Sequence, residues 1–544
     1  MAYFSLLYET SQQEQLAKKH SKEQLYTCEN FENLKKFEMV GIRMVPVASS
    51  TTENRKKVPT FFHDLNINQI IDEILSIDRD SKSEEIFYEL LSNKEAITYR
   101  QEIFRDIANP SIDKDIQGFN NSMNNVYRLL EYVKQSNHPI QKCKYILDAI
   151  SLYQTSLTNL LKGLEGTVKS SGLNKLLCLL KEYMDSDYYM KLNEQTLYFK
   201  SKIESIHYSL TITSNNILLK FEQQSENYND TFRKIFDKQY DSGNEISFFR
   251  QVTLTELELR IADILYKKEK ALFLDCIQYT NNNYGFINEL IIKMHDDLKF
   301  YISCYDYFSS VESRGFTITY PEISDEHNIV MKGIYDITIA NKLETISKVV
   351  TNDFILEEER VGAWITGANQ GGKTTFARSL GQIAYLALIG FPVPAAYVRT
   401  PLFCGIFTHF TSEENAKTNN GKLKEELLQM KELIKHARNG NNLFILNELF
   451  SSTSTLDAHD MCELLVNRLI EMNSTVICVT HIPELAKEFS RMISLGTALE
   501  DNDDHTRTYR IIPKEAEPIA YAYDIAKRYQ LTYEQIMERL GYEI

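Results

Sequence analysis

The sequence predicts an α + α/β chain: a long-helix region first, then a region in which helices cover a mostly parallel sheet. Three observations carry that expectation. No proline occurs between Pro139 and Pro321, although the chain has eleven, and proline is excluded from uninterrupted helices. From about Phe316 onward, short apolar runs alternate with stretches of helical periodicity, the pattern of a sheet with helices on its faces. Between the apolar run Ala363–Thr366 and the helical stretch after it lies a loop with three glycines, Gly367, Gly371 and Gly372.

Composition narrows the class. The 544 residues correspond to about three or four domains of usual size. Hydrophobic residues make up 43% and charged residues 25%, an ordinary soluble globular balance. The net charge of −15 opposes nucleic acid as a whole-molecule field, so any such contact needs a local basic surface. The eight cysteines are scattered and form no C-x-x-C pair, which points to neither zinc nor a disulfide framework. A reducing, cytoplasmic setting fits. The N-terminus has no basic n-region and only a short apolar run, so no signal peptide is expected. The best membrane candidate, Ala384–Val398, is shorter than the ~20 residues of a span and contains Pro392 and Pro394. It reads as a buried helix ending at Gly390, and no membrane partner is expected.

Taken in order, residues 1–60 read as an N-terminal extension, with a flexible Ser49-Ser50-Thr51-Thr52 run and a basic Arg55-Lys56-Lys57 cluster. Residues 61–320 read as the helical region. Ile67, Ile70, Ile71, Ile74 and Leu75 recur at helical spacing, and Pro110 and Pro139 mark boundaries. The run Lys267-Lys268-Glu269-Lys270 reads as a solvated face. Residues 321–544 read as the α/β region, with strands beginning near Phe316–Tyr320. Its candidate strands are Ala363–Thr366, Leu443–Leu446, Val476–Thr480 and Arg507–Ile512. Its candidate helices are Thr375–Leu388, Leu423–Ala437, His459–Glu471 and Pro483–Phe489. Internal repeats are not evident.

Gly367, Gly372, Lys373 and Thr374 fit the phosphate-loop pattern G-x-x-x-x-G-K-[ST]. Glycines let backbone N–H groups turn in around an anion, and the following helix points its positive end there. Lys373 is expected to reach the outer phosphates of ATP, and Thr374 to offer its hydroxyl to Mg²⁺. The second signal is Asn442–Glu448, an apolar strand ending in Asn-Glu. Glu448 suits the positioning or deprotonation of an attacking water. Asn447 falls where a metal-holding acid is expected, and its amide brings no negative charge. Five hydroxyl residues, Ser451 to Thr455, offer a helix cap and phosphate donors. The third strand ends at His481, placed to reach the terminal phosphate or the water.

These stretches resemble the ATPase domain of the MutS family of DNA mismatch-repair proteins. Thr366–Thr375 is similar to the family's T-G-x-N-x-G-G-K-[ST]-T. Asn447–Asp457 is similar to D-E-x-G-x-G-T-S-T-x-D-G, and Thr480–Leu485 to T-H-x-x-E-L. Val350–Phe354 is similar to the V-x-N-D segment, and Tyr99–Arg105 less specifically to a stretch of the helical core. The resemblance implies an ABC-type ATPase domain, with Gly367, Asn369, Gly371, Gly372, Lys373, Thr374 and Thr375 binding nucleotide. It assigns Thr374 and Asn447 to Mg²⁺, and Glu448 and His481 to catalysis. It further implies a dimer of identical subunits, with long helical levers and clamps that encircle duplex or branched DNA under nucleotide control.

Several residues depart from the family pattern. Asn447 replaces its Asp, Phe450 and Ser452 replace its G-x-G glycines, and Ala458 its last glycine. The trans-acting S-T-F signature falls near Gly421-Lys422-Leu423 without its hydroxyls, leaving Lys422 as a substitute point charge. Slow turnover is therefore expected. Phe87-Tyr88-Glu89 matches the Phe-x-Glu of a mismatch wedge, but it lies in the helical run Ile86–Leu91 and reads as core. The expectation is a short relative without the mismatch-reading domain, recognising DNA by shape. The segments Ala520–Ala526 and Leu531–Ile536 resemble the family's closing helix pair, or equally pack on their own domain. The alternative function is a regulatory or scaffold protein whose ATPase has decayed.

Overall fold

The computed structural model describes residues 4–19, 37–40, 43–46, 59–76, 81–212, 217–221, 256–343, 345–346, 349–357, 359–367, 370–410, 422–437, 440–499, 507–516 and 529–539. Ser49–Thr52, Arg55–Lys57, Asn369, Gly421 and Ala520–Ala526 lie outside them, as does the side chain of Lys422. The chain forms two compact units, Met1–Arg105 with Phe300–Ile544, and Asp106–Lys299.

In the first unit a helical stretch over residues 11–19 comes first, followed by the hairpin β1 (Phe37–Val40) and β2 (Arg43–Pro46), then α1 (Thr60–Asp64), α2 (Ile67–Ile74), α3 (Ser81–Ile86) and α4 (Lys94–Ile107). The isoleucines of α2 fill one buried face, as their spacing requires. Phe87, Tyr88 and Glu89 are buried, but α3 ends at Ile86 and the next residues are non-helical. The expected helical run to Leu91 is therefore absent, and no Phe-x-Glu wedge is exposed here. Arg100, fully buried, explains the packing of the N-terminal residues. Its guanidinium donates to the carbonyls of Leu7 (2.9 Å) and Ile389 (3.0 Å) and lies over the Tyr8 ring. Tyr99 donates to the Ser5 carbonyl. Residues 4–8 are thus built into the core rather than hanging from it.

The helical unit contains α5 (Pro110–Gln135), α6 (Pro139–Leu164), α7 (Ser171–Met184), α8 (Asp187–Glu204), α9 (Glu256–Lys268), α10 (Lys270–Asn282) and the start of α11 (Glu289–Ser313). Pro110 and Pro139 each open a 26-residue helix at its first turn, where the missing N–H costs nothing. With no prolines beyond, serines set the boundaries. Ser170 and Ser186 cap α7 and α8 by accepting from Leu173 N and Tyr189 N. A hairpin, β3 (Tyr208–Ile212) with β4 (Ile217–Phe221), lies within the region read as helical. Lys267–Lys270 are all exposed, as a solvated face.

The rest of the first unit carries two sheets. Four strands, β5 (Glu322–Ser324), β6 (Ile329–Ile334), β7 (Asn352–Leu356) and β9 (Tyr397–Pro401), run in the order β5-β9-β6-β7. The expected start near Phe316 is reduced to a single bridge, Thr319 to Val393. The larger sheet has the order β10-β11-β12-β8-β13-β14, with β8 (Gly362–Thr366), β10 (Gly405–Phe410), β11 (Asn442–Asn447), β12 (Thr475–Val479), β13 (Met492–Leu499) and β14 (Arg507–Pro513). All pairings are parallel except β13 with β14. Four helices of this region accompany the sheet: α13 (Lys373–Leu388), α14 (Lys422–His436), α15 (Thr455–Glu471) and α16 (Pro483–Glu488). A short α12 (Ile337–Ala340) precedes them and α17 (Tyr533–Arg539) follows. The strands β8, β11 and β12 are buried at every position, which is why each reads as a continuous apolar run. Trp364 lies fully buried in the core between sheet and helices, in one cluster with Phe450, Val466 and Leu485. Among the described residues no helix is long and apolar enough to cross a membrane.

Candidate functional site

The register of the parallel sheet assembles the site. Asn447 pairs with Val479, and Val479 with Ile365. The ends of β11, β12 and β8 therefore stand side by side, delivering Asn447-Glu448, Thr480-His481 and Thr366-Gly367 to one edge. β8 is also where the sheet changes direction, because later strands add on both of its sides. Ligands of open α/β sheets bind at such a carboxyl edge.

The loop from β8 to α13 needs its glycines. Gly367 has φ +123° and Gly372 φ +92°, values that side chains with a Cβ avoid. A Cβ on Gly367 would also collide with the Thr497 hydroxyl on β13. Gly372 caps α13 without any side-chain hydrogen bond. The first N–H groups of a 16-residue helix thus have no cap of their own, the arrangement that attracts an anion.

Lys373 and Thr374 open α13. Lys373 is only 4% exposed, and its ammonium donates to the Gly367 carbonyl at 2.6 Å. Burial holds the ammonium below the usual lysine range, opposed by the Glu448 carboxylate. A ligand bringing negative charge would relieve that cost. Thr374 donates its hydroxyl to the Asn447 side-chain oxygen at 3.2 Å. Glu448 sits at φ +55°, its N–H held by the Val479 carbonyl at 2.9 Å, and its carboxylate lies 2.9 Å from His481 Nε2. Thr480 orients the next turn by accepting from Ile482 N at 3.0 Å. Ser454 accepts from Asp457 N and donates to the Asp457 carboxylate, capping α15.

A cavity of about 670 Å³ opens beside these groups, a size that suits a nucleotide. Gly372, Lys373, Thr374, Thr375 and Glu448 line it. Gly367, Asn447 and His481 stand one hydrogen bond or ion pair behind that lining. Gly371 is buried in the loop and does not line the cavity. Tyr509 and Asn352 also line it, and neither was among the expected site residues. Tyr509, in β14, is half exposed at φ +56° and borders the Gly372 position. Asn352 donates to the Tyr509 carbonyl and accepts from Ile511 N, at 3.3 and 2.7 Å. The V-x-N-D likeness flagged Asn352, but nothing local to Tyr509 marks it.

Fold and site together define an α/β protein whose polar groups gather over a nucleotide-sized cavity at the edge of a mostly parallel sheet. Two family models divide most of the chain between them: "MutS domain V" matches residues 363–538, and "MutS2 N-terminal domain" matches residues 92–314. The chain belongs to the MutS family. It is 28% identical to the DNA mismatch repair protein MutS of Fervidobacterium nodosum over 262 residues, 46% of this chain and 30% of that one. It is 27% identical to the DNA mismatch repair protein MSH3 of Debaryomyces hansenii over 248 residues, covering 44% and 23%. Against MutS protein homolog 4 of Candida albicans the figures are 25% over 238 residues, 43% and 28%. The matches span less than a third of each of these three relatives.

Proposed function

We propose that this chain is a Mg²⁺-dependent ATPase of the MutS type that grips and releases DNA as a nucleotide-gated dimer of identical subunits, in repair or recombination. The observation that carries this reading is the convergence of a buried lysine, a helix start without a side-chain cap and the Glu448–His481 pair on one cavity. Lys373 and the N–H groups of α13 hold the phosphates. Glu448 takes or orients the proton of the attacking water, and His481 holds Glu448 in place. The Tyr509 ring supports the base, as aromatic faces do. Thr374 and Asn447 offer oxygen ligands that fit Mg²⁺, which when bound neutralises phosphate charge. Because Asn447 is neutral, turnover is slow. Family membership and the mismatch-repair names of the relatives support DNA as partner. The burial of Phe87-Tyr88-Glu89 accords with recognition by shape rather than by a wedge.

ATP turnover by the full chain, with and without linear and branched duplex, tests the reading. Lys373→Ala is expected to weaken ATP binding, and Glu448→Ala to lower turnover on the order of 100-fold or more while ATP still binds. Asn447→Asp is expected to raise turnover at limiting Mg²⁺ by about 10-fold. Turnover in the parent no higher than in Glu448→Ala, with ATP still bound, would instead favour the second reading, a regulatory or scaffold protein with decayed hydrolysis. Asn447 is the observation behind that alternative.

A further inference from the structure

Two buried thiols meet inside the helical unit. Cys143 lies on α6 and Cys276 on α10, 133 positions apart in the chain. Their sulfurs are 2.8 Å apart and neither side chain reaches solvent. That is closer than even two carbon atoms at their best non-bonded separation, about 3.5–4.0 Å. The two thiols differ. The hydrogen bond with Cys276 holds the Cys143 thiol below its ordinary range, against burial and with help from the Thr280 hydroxyl. The same contact and burial push the Cys276 thiol well up. Either sulfur can donate in that contact, and the direction of the shifts favours Cys143 as the attacking sulfur and Cys276 as the proton-bearing one.

We propose that Cys143 and Cys276 are a modification site, an intramolecular dithiol that a peroxide closes to a disulfide and a dithiol reductant reopens. The Cys143 thiolate attacks one peroxide oxygen and the O–O bond breaks. This leaves a sulfenic acid on Cys143, and the other oxygen departs as water with the proton Cys143 had shed. Cys276 then attacks the sulfenic sulfur. The S–S bond forms, and the hydroxyl leaves with the Cys276 proton as a second water. Two electrons pass from the thiol pair to one hydrogen peroxide. Access comes through local opening of the helices. Once closed, the bridge ties α6 to α10 and constrains the unfolded chain across everything between them. A reducing compartment keeps the pair open, so closure reports an oxidising challenge.

The test uses the full chain, purified under reductant, freed of it and exposed to hydrogen peroxide, then alkylated and digested without reduction. The expected result is a peptide pair linked through Cys143 and Cys276, reversed by dithiothreitol, with a melting transition raised by roughly 5–10 °C. Cys143→Ser removes the link. Cys276→Ser leaves a sulfenic acid on Cys143 that dimedone traps. The parent peptide map decides the matter even where a variant folds poorly. The inference is overturned if Cys143 and Cys276 both stay alkylatable after the exposed Cys178 and Cys404 have been oxidised, or if either links elsewhere.

Discussion

Phe450 holds a left-handed backbone, φ +55°, at a position where the MutS pattern has glycine. For a residue with a Cβ this costs about 1–2 kcal/mol. The ring is 2% exposed and belongs to the Trp364 cluster, and burying a phenylalanine contributes about 1.5–3 kcal/mol. Burial therefore wins, and the departure from glycine is accommodated by packing. Phe450→Gly is expected to destabilise the protein by about 2 kcal/mol in urea titration, since the lost ring outweighs the relieved strain. Glu89 is the second residue whose environment has a consequence. Burial pushes its carboxyl up to about 7, against the pull of Arg100. Its folded value thus lies above the unfolded one, so the folded state holds more protons between the two. Stability from this group then falls as pH rises from about 4.5 to about 7. Glu89→Gln is expected to remove that loss, worth up to about 3 kcal/mol, and to leave stability unchanged near pH 4. Equal pH profiles for the two proteins would overturn the assignment.

At the scale of elements, capping decides more than propensity. α15 starts where Ser454 binds Asp457 in both directions. Ser454→Ala is expected to cost about 1 kcal/mol, read as a lowered midpoint of unfolding with unchanged slope. α13 has no such cap at Gly372, which fits a helix start completed by a ligand. The strands that were legible, β8, β11, β12 and β14, announce themselves as apolar or alternating runs. β13 did not, because Ser494, Gly496 and Thr497 break its apolar run. β9 and β10 follow Pro392 and Pro394 and were not among the expected strands, although both hold ladders. The β3–β4 hairpin was likewise hidden inside a region whose lack of proline argued for helix.

For the whole molecule, the charge of −15 sets a condition on the proposed DNA contact. Affinity must come from a local basic surface, and it is expected to fall by about 0.9 log units per log unit of salt for each duplex phosphate neutralised. Binding indifferent to salt would remove that surface from the reading. Gly367, Gly372, Lys373, Thr374, Asn447, Glu448 and His481 were singled out as candidates from the sequence alone. The chemistry proposed for them rests on short stretches: backbone freedom, strand ends and helix starts. Tertiary structure alone decided which distant groups meet: Asn352 with Tyr509, Arg100 with the carbonyls of Leu7 and Ile389, Cys143 with Cys276. Those contacts depend on how strands order within a sheet and helices pack within a unit. Side-chain spacing along the chain carries no record of that, because it reports only what a residue does to its near neighbours.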